Sequence, residues 1–425
     1  MDAEKRAEER TAVSGSGLLW NSIGSTMVAL STVVLSYFTI KVIGAEDGGL
    51  MSLSLTVAQV FQHITYFETR NYQNSEGGEG FSFVSFRSLK QRLFVCNLFA
   101  VAVYTLVTGV TAQRMAVLAL MGVYRALDGY ADLYESELQR EGKLAYAGAS
   151  QFFRSFLSIL LYALLLVVTR NLLLSAAAAC GFALCTAVVL AFMTRRLCGE
   201  SATDDSSGDG LRSTPGEVKK LALACLPVAL GMILWSYILS ASRIAVGHLM
   251  TDADTARFQV LFLPINFFAL LVNYVYRPFL PKMGAWHKEG DTESLRLLLR
   301  RSAILLTLVT LLVAAAGYVL GPWFLGLISG LDLTADRLLF AFLMLAGGLS
   351  GAATMLYYVL IVKRQQKRIL MSYLLSALVG LCSAYLLTAY FGLTGAAFSF
   401  LAATLVLLCG FAPEVNRRPE RKETA

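Results

Sequence analysis

Runs of about twenty apolar residues recur along the whole chain, and they constrain its fold more than any other feature. Each run can cross the ~30 Å hydrocarbon core of a bilayer as an α-helix. In lipid the backbone must satisfy its own hydrogen bonds, which favours an all-α bundle. With 56% hydrophobic and only 15% charged residues, the chain is no ordinary soluble domain. About twelve spans are predicted, at 17–40, 50–69, 92–112, 115–137, 145–169, 172–194, 220–243, 258–280, 302–321, 338–362, 369–390 and 393–412.

The distribution of Lys and Arg predicts the orientation of these spans, because cytoplasmic segments are enriched in both residues. A cytoplasmic N-terminus leaves only five of them in outer segments, namely Lys41, Arg114, Arg170, Arg257 and Arg337. We therefore predict a multi-pass protein of the cytoplasmic membrane with both termini in the cytoplasm. The net charge of +7 then reflects topology and attraction to anionic membrane lipids, and no nucleic-acid partner is expected. No signal-peptide cleavage site is visible at the N-terminus, so no removable leader is expected.

The sequence predicts neither a metal site nor a cofactor. The seven cysteines lie in or near apolar spans, and His63, His248 and His287 are far apart without a neighbouring second ligand. The Gly-rich pieces "EGGEG" and "LAGGLSGAA" lack the Lys-Ser/Thr of a P-loop. Any uphill transport is therefore expected to use an ion gradient, the membrane potential or consumption of the product.

A polar stretch divides the spans into two sets of six. Residues 195–220 are rich in Ser, Gly, Asp and Pro, which is typical of a flexible linker. The predicted organisation is an N-terminal lobe (1–198), a cytoplasmic linker (199–218) and a C-terminal lobe with a basic cytoplasmic tail (219–425). Weak similarity between 14–44 and 219–249, and between 169–190 and 390–409, favours a parallel pseudo-repeat around a central cavity, as in transporters.

Polar side chains fall on single helix faces inside the first set of spans. The stripes are Gln59, His63, Tyr66 and Arg70 on the second span, Arg125, Asp128, Asp132, Glu135 and Gln139 on the fourth, and Arg154 alone on the fifth. Asp128 and Arg154 are equally far from the turn near Glu141, so they are predicted to pair. Arg125, Asp128 and Arg154 either line a transport cavity or form a structural cluster that holds the fourth and fifth spans together, and both can be true. Asp132 and Glu135 are expected at a wet helix end near the cytoplasmic surface.

The second set of spans offers further candidates for substrate binding. Arg243 ends the seventh span, and Asn266, Asn273 and Arg277 share one face of the eighth. Snorkelling of Arg243 and Arg277 to the interface is the alternative. Arginines at several depths suit an anionic substrate such as a diphosphate, because the guanidinium binds phosphate oxygens bidentately.

Several strings resemble the Wzx-type oligosaccharide repeat-unit flippases of the multidrug/oligosaccharidyl-lipid/polysaccharide exporter (MOP) superfamily. They are "KVIGAEDGGLMSLS" (41–54), "ETRNYQNSE" (68–76), "ELQREGKLAYAGASQFFRS" (137–155), "YRPFLPKMGAWHKEGD" (276–291) and "YFGLTGAAFS" (390–399). The string around Arg70 is the most specific of them, and together they cover nearly the entire chain.

The resemblance implies two six-helix lobes around a central cationic cavity that accepts an undecaprenyl-diphosphate-linked oligosaccharide and rocks to release it outside. It implies Arg70 at the inner mouth, and Arg125 and Arg154 inside the N-terminal lobe. Glu68 and Tyr72 then belong to a cytoplasmic gate, although a capped helix end explains that segment as well. A monomer is expected, in association with glycan polymerase machinery.

The chain departs from the expected pattern at Ser242, where an acidic residue before Arg243 would be sought. Asp128, with Asp132, is therefore the better candidate for ion coupling. Two other functions compete with the flippase: a cation-coupled multidrug or small-molecule antiporter of the same superfamily, and a polytopic glycan-processing enzyme. The outer segments are short for the enzyme, so a non-enzymatic transporter is predicted.

Overall fold

The computed structural model describes residues 15–74, 80–108, 111–199 and 215–416, and these residues form helices without any β-strand. Most of the predicted linker and the basic C-terminal tail lie outside the described residues. The first half contains α1 (Gly15–Ile43), α2 (Ala45–Tyr66), the short α3 (Thr69–Gln73), α4 (Phe83–Val107), α5 (Ala112–Arg140), α6 (Leu144–Thr169) and α7 (Leu172–Cys198). The second half contains α8 (Pro215–Leu249), α9 (Asp252–Phe262), α10 (Asn266–Glu289), α11 (Thr292–Ser329), α12 (Arg337–Val362) and α13 (Gln366–Asn416).

The predicted all-α polytopic class is confirmed. Nine helical stretches of the described chain are long and apolar enough to cross a membrane, and the last of them, Gln366–Pro413, contains a break. Gly392 adopts φ 58° inside α13, a left-handed conformation that glycine tolerates and that separates two helices there. This break falls between the predicted eleventh and twelfth spans. Helices α2 and α5 are outside the set of nine because polar side chains interrupt their apolar runs.

The third long helix begins earlier than the sequence suggests. The third span is predicted to begin at residue 92, whereas α4 begins at Phe83. Ser82 caps it by accepting a hydrogen bond from the Ser85 backbone N–H at 3.2 Å. The predicted third span and residues 83–91 before it are therefore one continuous helix.

The chain divides into two compact units, Met1–Ser236 (unit 1) and Tyr237–Ala425 (unit 2). The division falls inside α8, later than the linker predicted at 199–218. The first half of α8 belongs to unit 1 because its apolar residues Val218, Leu221, Cys225 and Ala229 are buried in the same cluster as Phe83 and Phe86.

Unit 1 is held together by close helix contacts around α5, which packs against α2, α4, α6 and α7. Helices α1 and α6 approach through glycines: a methyl group at Gly148 would lie 2.3 Å from the Asn21 backbone nitrogen. Small residues allow such close approach in membrane bundles. A hydrogen bond of 2.6 Å between the hydroxyls of Thr39 and Tyr162 joins the same two helices.

In unit 2, α12 packs against α10, α11 and α13. Its interior is mainly apolar and aromatic. Tyr276 and Tyr358 stack with ring centroids 5.8 Å apart, and Tyr357 continues the series to Tyr373. Most of the ionisable residues that the sequence analysis singles out lie in unit 1.

Candidate functional site

The charged stripe of α5 is buried inside unit 1. Arg125, Asp128, Asp132 and Glu135 are each only 2–3% exposed. The expectation of a wet helix end at Asp132 and Glu135 is therefore wrong. Their partners come from α4, from α6 and from the segment after α2, and the sequence of α5 alone does not reveal these partners.

Arg154 on α6 bridges two of these carboxylates. Its NH1 lies 2.9 Å from Asp128 Oδ1, and its NH2 donates to Glu135 Oε1 at 3.0 Å. The predicted pairing of Asp128 with Arg154 is thus confirmed. Gln151, one turn before Arg154, donates a second hydrogen bond to Glu135 at 2.8 Å. Because Arg154 contacts two carboxylates seven residues apart, it joins two turns of α5 to one side chain of α6.

Arg125 completes this cluster on the side nearer the N-terminus of α5. Its NH1 donates to Asp128 Oδ2 at 2.9 Å, and its NH2 donates to the hydroxyls of Ser31, at 3.1 Å, and Thr32 on α1. Asp128 is therefore held between two guanidinium groups. Ordered partners of this kind are needed because an unpaired charge in the bilayer core is costly, at least ~2.5–3.5 kcal/mol.

The polar string that follows α2 lies against α5. Arg70 donates from Nε and NH2 to Gln139 Oε1 at 3.1 and 3.0 Å, and its NH1 lies 3.2 Å from Asp132 Oδ1 and 3.6 Å from Glu135 Oε2. Burial alone lowers the pKa of Arg70, but the carboxylates of Asp132 and Glu135 outweigh burial and raise this pKa above its usual value. Arg70 therefore remains charged.

Two further contacts fix the string. Gln73 donates to Glu137 Oε2 at 2.7 Å, and Asn74 donates to the Ser136 hydroxyl at 2.9 Å. Glu137 is wholly buried and also pairs with Arg140 at 2.8 Å. The segment is therefore more than a capped helix end, because the side chains of Arg70, Gln73 and Asn74 hold it on α5. Sequence reasoning did not single out Glu137.

Glu68 and Tyr72, the predicted gate residues, lie in the same segment. Glu68 accepts a hydrogen bond from Asn71 Nδ2 at 2.6 Å. The ring of Tyr72 lies 6.0 Å from that of Phe81. Phe67 and Glu68 both adopt left-handed backbone conformations, with φ 46° and 52°, which turn the chain from α2 into α3. The structure places both residues beside Arg70, and their role as a gate stays a prediction.

Lys90 is the functional candidate that sequence reasoning missed. It precedes the third predicted span, which begins at residue 92, yet it is 0% exposed. Its Nζ lies 3.3 Å from Asp132 Oδ2. The available signal was its spacing, because Phe86, Lys90, Asn97 and Val101 fall on one face of α4 and are all buried. A lysine on an apolar helix face indicates a buried partner on another helix.

The cluster has nearly balanced charge. Four cationic side chains, Arg70, Lys90, Arg125 and Arg154, face three carboxylates, Asp128, Asp132 and Glu135. The predicted cationic interior is therefore largely neutralised in unit 1, with one positive charge in excess. Such a network can change its pairing when one carboxylate gains or loses a cation.

Arg243 lies inside the helix bundle of unit 2. Arg243 NH2 donates to the Ser240 hydroxyl at 3.1 Å, its NH1 lies 3.4 Å from Gln259 Oε1, and its guanidinium lies 5.0 Å from the Phe262 ring centroid. No carboxylate pairs with Arg243 among the described residues. Its contacts are with neutral groups on α8 and α9, so the guanidinium is partly buried without a compensating anion.

The other unit 2 candidates do not form one cluster. Asn273 accepts a hydrogen bond from the Tyr358 hydroxyl at 2.7 Å, whereas Asn266, at the start of α10, is exposed. The side chain of Arg277 lies outside the described part of the chain. A binding surface formed by Asn266, Asn273 and Arg277 therefore stays a prediction.

Comparison with solved structures identifies the architecture. A multidrug resistance MATE family transporter of the MOP superfamily, in an inward-facing conformation, matches with a TM-score of 0.68 at 15% identity, over 92% of this chain and 96% of that one. The chain has the MATE transporter fold. The MATE transporter VcmN of Vibrio cholerae matches with a TM-score of 0.56 at 13% identity, over 96% and 98% of the two chains.

A third match with this MATE fold is a MOP superfamily transporter from Pyrococcus furiosus, with a TM-score of 0.54 at 15% identity, over 94% and 95% of the two chains. Its description states that a binding pocket of reverse polarity suggests a different function. No family model matches the present sequence, and no curated protein matches it. At such low identities the comparisons establish the fold alone.

Proposed function

We propose that this protein is a secondary transporter that exports a small organic solute by alternating access, driven by the gradient of a cation. Solved proteins with this fold are described as multidrug resistance transporters, which supports the class and favours it over a glycan-processing enzyme. The observation that carries the coupling step is the buried carboxylate of Asp128, which lies between the guanidinium groups of Arg125 and Arg154.

The coupling follows from the ion pairs of these carboxylates. Binding of a proton or metal cation to Asp128 neutralises it and weakens its attraction to Arg125 and Arg154. Arg154 then keeps its other partner, Glu135, so its side chain shifts along α5. A ligand moves a conformational equilibrium only through a difference in affinity between the two states, and the two pairings of Arg154 provide that difference.

Transport by the purified protein in liposomes tests this proposal. The probe is a lipophilic cationic dye, whose accumulation is measured with and without an imposed proton or sodium gradient. The wild type should accumulate dye only with a gradient, and Asp128→Asn should lose that dependence. Glu289→Gln, at an exposed position, is the matched control. Equal rates and equal gradient dependence for Asp128→Asn and the wild type would refute the assigned coupling role.

A flippase for an undecaprenyl-diphosphate-linked oligosaccharide is the second candidate. Two observations favour it: the excess of one positive charge among the paired groups of unit 1, and an Arg243 without a carboxylate partner in the described chain. An anionic headgroup would balance the excess positive charge and would give Arg243 an anionic partner, since guanidinium groups bind diphosphate oxygens bidentately. Glu68, Arg70 and Tyr72 would then act at the cytoplasmic mouth.

Mass spectrometry of polyprenyl-linked lipids from cells depleted of the protein separates the two candidates. Accumulation of a complete, diphosphate-linked repeat unit that stays inaccessible from outside would establish the flippase and identify its glycan. An unchanged lipid profile with an intact surface glycan, together with dye transport in liposomes, would establish the small-molecule exporter. Association with a glycan polymerase is expected only in the first case.

A further inference from the structure

The ammonium group of Lys90 is surrounded by oxygen atoms from two other helices. Its Nζ lies 3.0 Å from the backbone carbonyl oxygens of Thr65, Tyr66 and Gly129, and 3.3 Å from Asp132 Oδ2. An ammonium has three N–H donors, one for each carbonyl, and the carboxylate supplies the compensating charge. The side chain of Lys90 therefore ends in a cage of four oxygen atoms.

Two of the carbonyls are free to bind Lys90 because α2 ends there. The last carbonyl groups of a helix receive no hydrogen bond from an N–H group of the same helix. After Tyr66 the chain turns through the left-handed residues Phe67 and Glu68, which directs the carbonyls of Thr65 and Tyr66 away from further helical bonding. Lys90 donates to both, so it caps α2 from a different helix.

The third carbonyl reaches the cage through a close contact between α2 and α5. Gly129 lies so near to α2 that a methyl group on it would come within 2.7 Å of Thr65 Cβ and 3.0 Å of Thr65 Cγ2. Real side chains do not tolerate such distances, so only glycine allows this spacing. The cage is therefore formed by a specific juxtaposition of helices, and it does not depend on the flexibility of Lys90.

We propose that the carbonyls of Thr65, Tyr66 and Gly129, with the carboxylate of Asp132, form a monovalent-cation site that the Lys90 ammonium occupies as a tethered ion. Backbone carbonyls replace the hydration shell of K⁺ in channels, and ammonium and K⁺ are of similar size. The protein fills this site itself, so Asp132 is not free to take up a cation from solution. The inference does not depend on which solute the protein transports.

A simpler role for Lys90 makes a different prediction. If Lys90 only balances the charge of Asp132, its removal lowers stability regardless of which salt is present. If the oxygen cage is a cation site, removal of the ammonium leaves a site that a free ion of similar size can fill. Binding to the folded state alone then raises stability with the logarithm of the ion concentration once this concentration exceeds the dissociation constant.

The test measures the thermal midpoint of purified Lys90→Ala and Lys90→Met in detergent, in chloride salts of NH₄⁺, K⁺, Na⁺ and choline at equal concentration. In choline, both variants should unfold about 5 °C or more below the wild type, because buried carbonyls and a carboxylate lose a partner. NH₄⁺ and K⁺ should raise the midpoint progressively with their concentration and further than Na⁺ or choline, whereas the wild type should respond equally to all four salts. Lys288→Ala, at an exposed position, is the matched control.

The double variant Lys90→Ala/Asp132→Asn separates site binding from general salt effects. It lacks the anionic ligand of the cage and should lose the selective rescue by NH₄⁺ and K⁺. A midpoint that rises equally in all four salts, or in none, would overturn the proposal. Failure of both single variants to fold in ammonium chloride would also overturn it, because the free ion should then replace the missing group.

Discussion

The guanidinium of Arg154 on α6 lies 2.9 Å from the carboxylate of Asp128 on α5, and both side chains are nearly inaccessible to solvent. This ion pair joins two helices in a region where water cannot screen the charges. Its energetic value is best judged from the loss of one partner, because an unpaired charge is then left in the interior.

Removal of Arg154 should destabilise unit 1 strongly. Arg154→Met leaves Asp128 with Arg125 alone and takes the closest cation from Glu135, so we expect a loss of about 3–5 kcal/mol in the free energy of unfolding. Unfolding in a denaturing detergent provides the measurement. The double variant Asp128→Asn/Arg154→Met should lose less than the sum of the two single variants, because they share one interaction. Additive losses would show that the pair contributes nothing of its own.

Close packing of α1 against α6 should not tolerate a side chain at position 148. Gly148→Ala would place a methyl group 2.3 Å from the Asn21 backbone nitrogen and 2.4 Å from the Trp20 carbonyl oxygen. Because both atoms belong to the backbone, the helices must separate, and we expect a loss of about 1–3 kcal/mol. Gly181→Ala is the control, since nothing lies within 4 Å of its new methyl group. Equal thermal midpoints for the two variants would contradict the packing argument.

Glu68 should make stability depend on pH. Burial, and to a smaller extent the charge of Asp132, raises the pKa of the Glu68 carboxyl above its usual value. The folded state thus binds the proton of the Glu68 carboxyl more tightly than the unfolded state does. This contribution to stability is complete below the usual Glu pKa and is lost as the pH rises through the raised pKa.

Glu68→Gln mimics the protonated carboxyl and can still accept the hydrogen bond from Asn71. Its thermal midpoint should match that of the wild type in acid and exceed it increasingly as the pH rises towards neutrality. Glu289→Gln, on an exposed helix end, should show no such divergence. A difference between Glu68→Gln and the wild type that is constant across this pH range would refute the assignment.

Arg70 should be required for transport. Its guanidinium contacts Asp132, Glu135 and Gln139 from the segment between α2 and α4, and hydrogen bonds to charged groups are worth about 1.5–3 kcal/mol each. If these contacts re-form during the transport cycle, Arg70→Ala should lower the rate roughly 10- to 100-fold. Arg70→Lys keeps the charge without the planar fork and should be intermediate.

The transport rate of Arg70→Ala is informative only for folded protein. Its elution from size-exclusion chromatography and its thermal midpoint therefore accompany the assay. Wild-type transport by folded Arg70→Ala would remove Arg70, and with it the gate predicted around Glu68 and Tyr72, from the mechanism.

Properties that depend on local sequence were predictable. The length of the apolar runs requires membrane-spanning helices, because the backbone in lipid has no other source of hydrogen bonds. The break at Gly392 and the pairing of Asp128 with Arg154 also follow from local features, namely a glycine between two spans and equal spacing from one turn.

The tertiary structure alone decided which charges are buried. Asp132, Glu135 and Lys90 look like residues of cytoplasmic helix ends, yet all three are enclosed by side chains and carbonyls from other helices. A charge enters the interior only when partners from distant parts of the chain converge on it, and hydropathy along one helix carries no record of those partners. The sequence therefore determined the helices, and their packing determined the site.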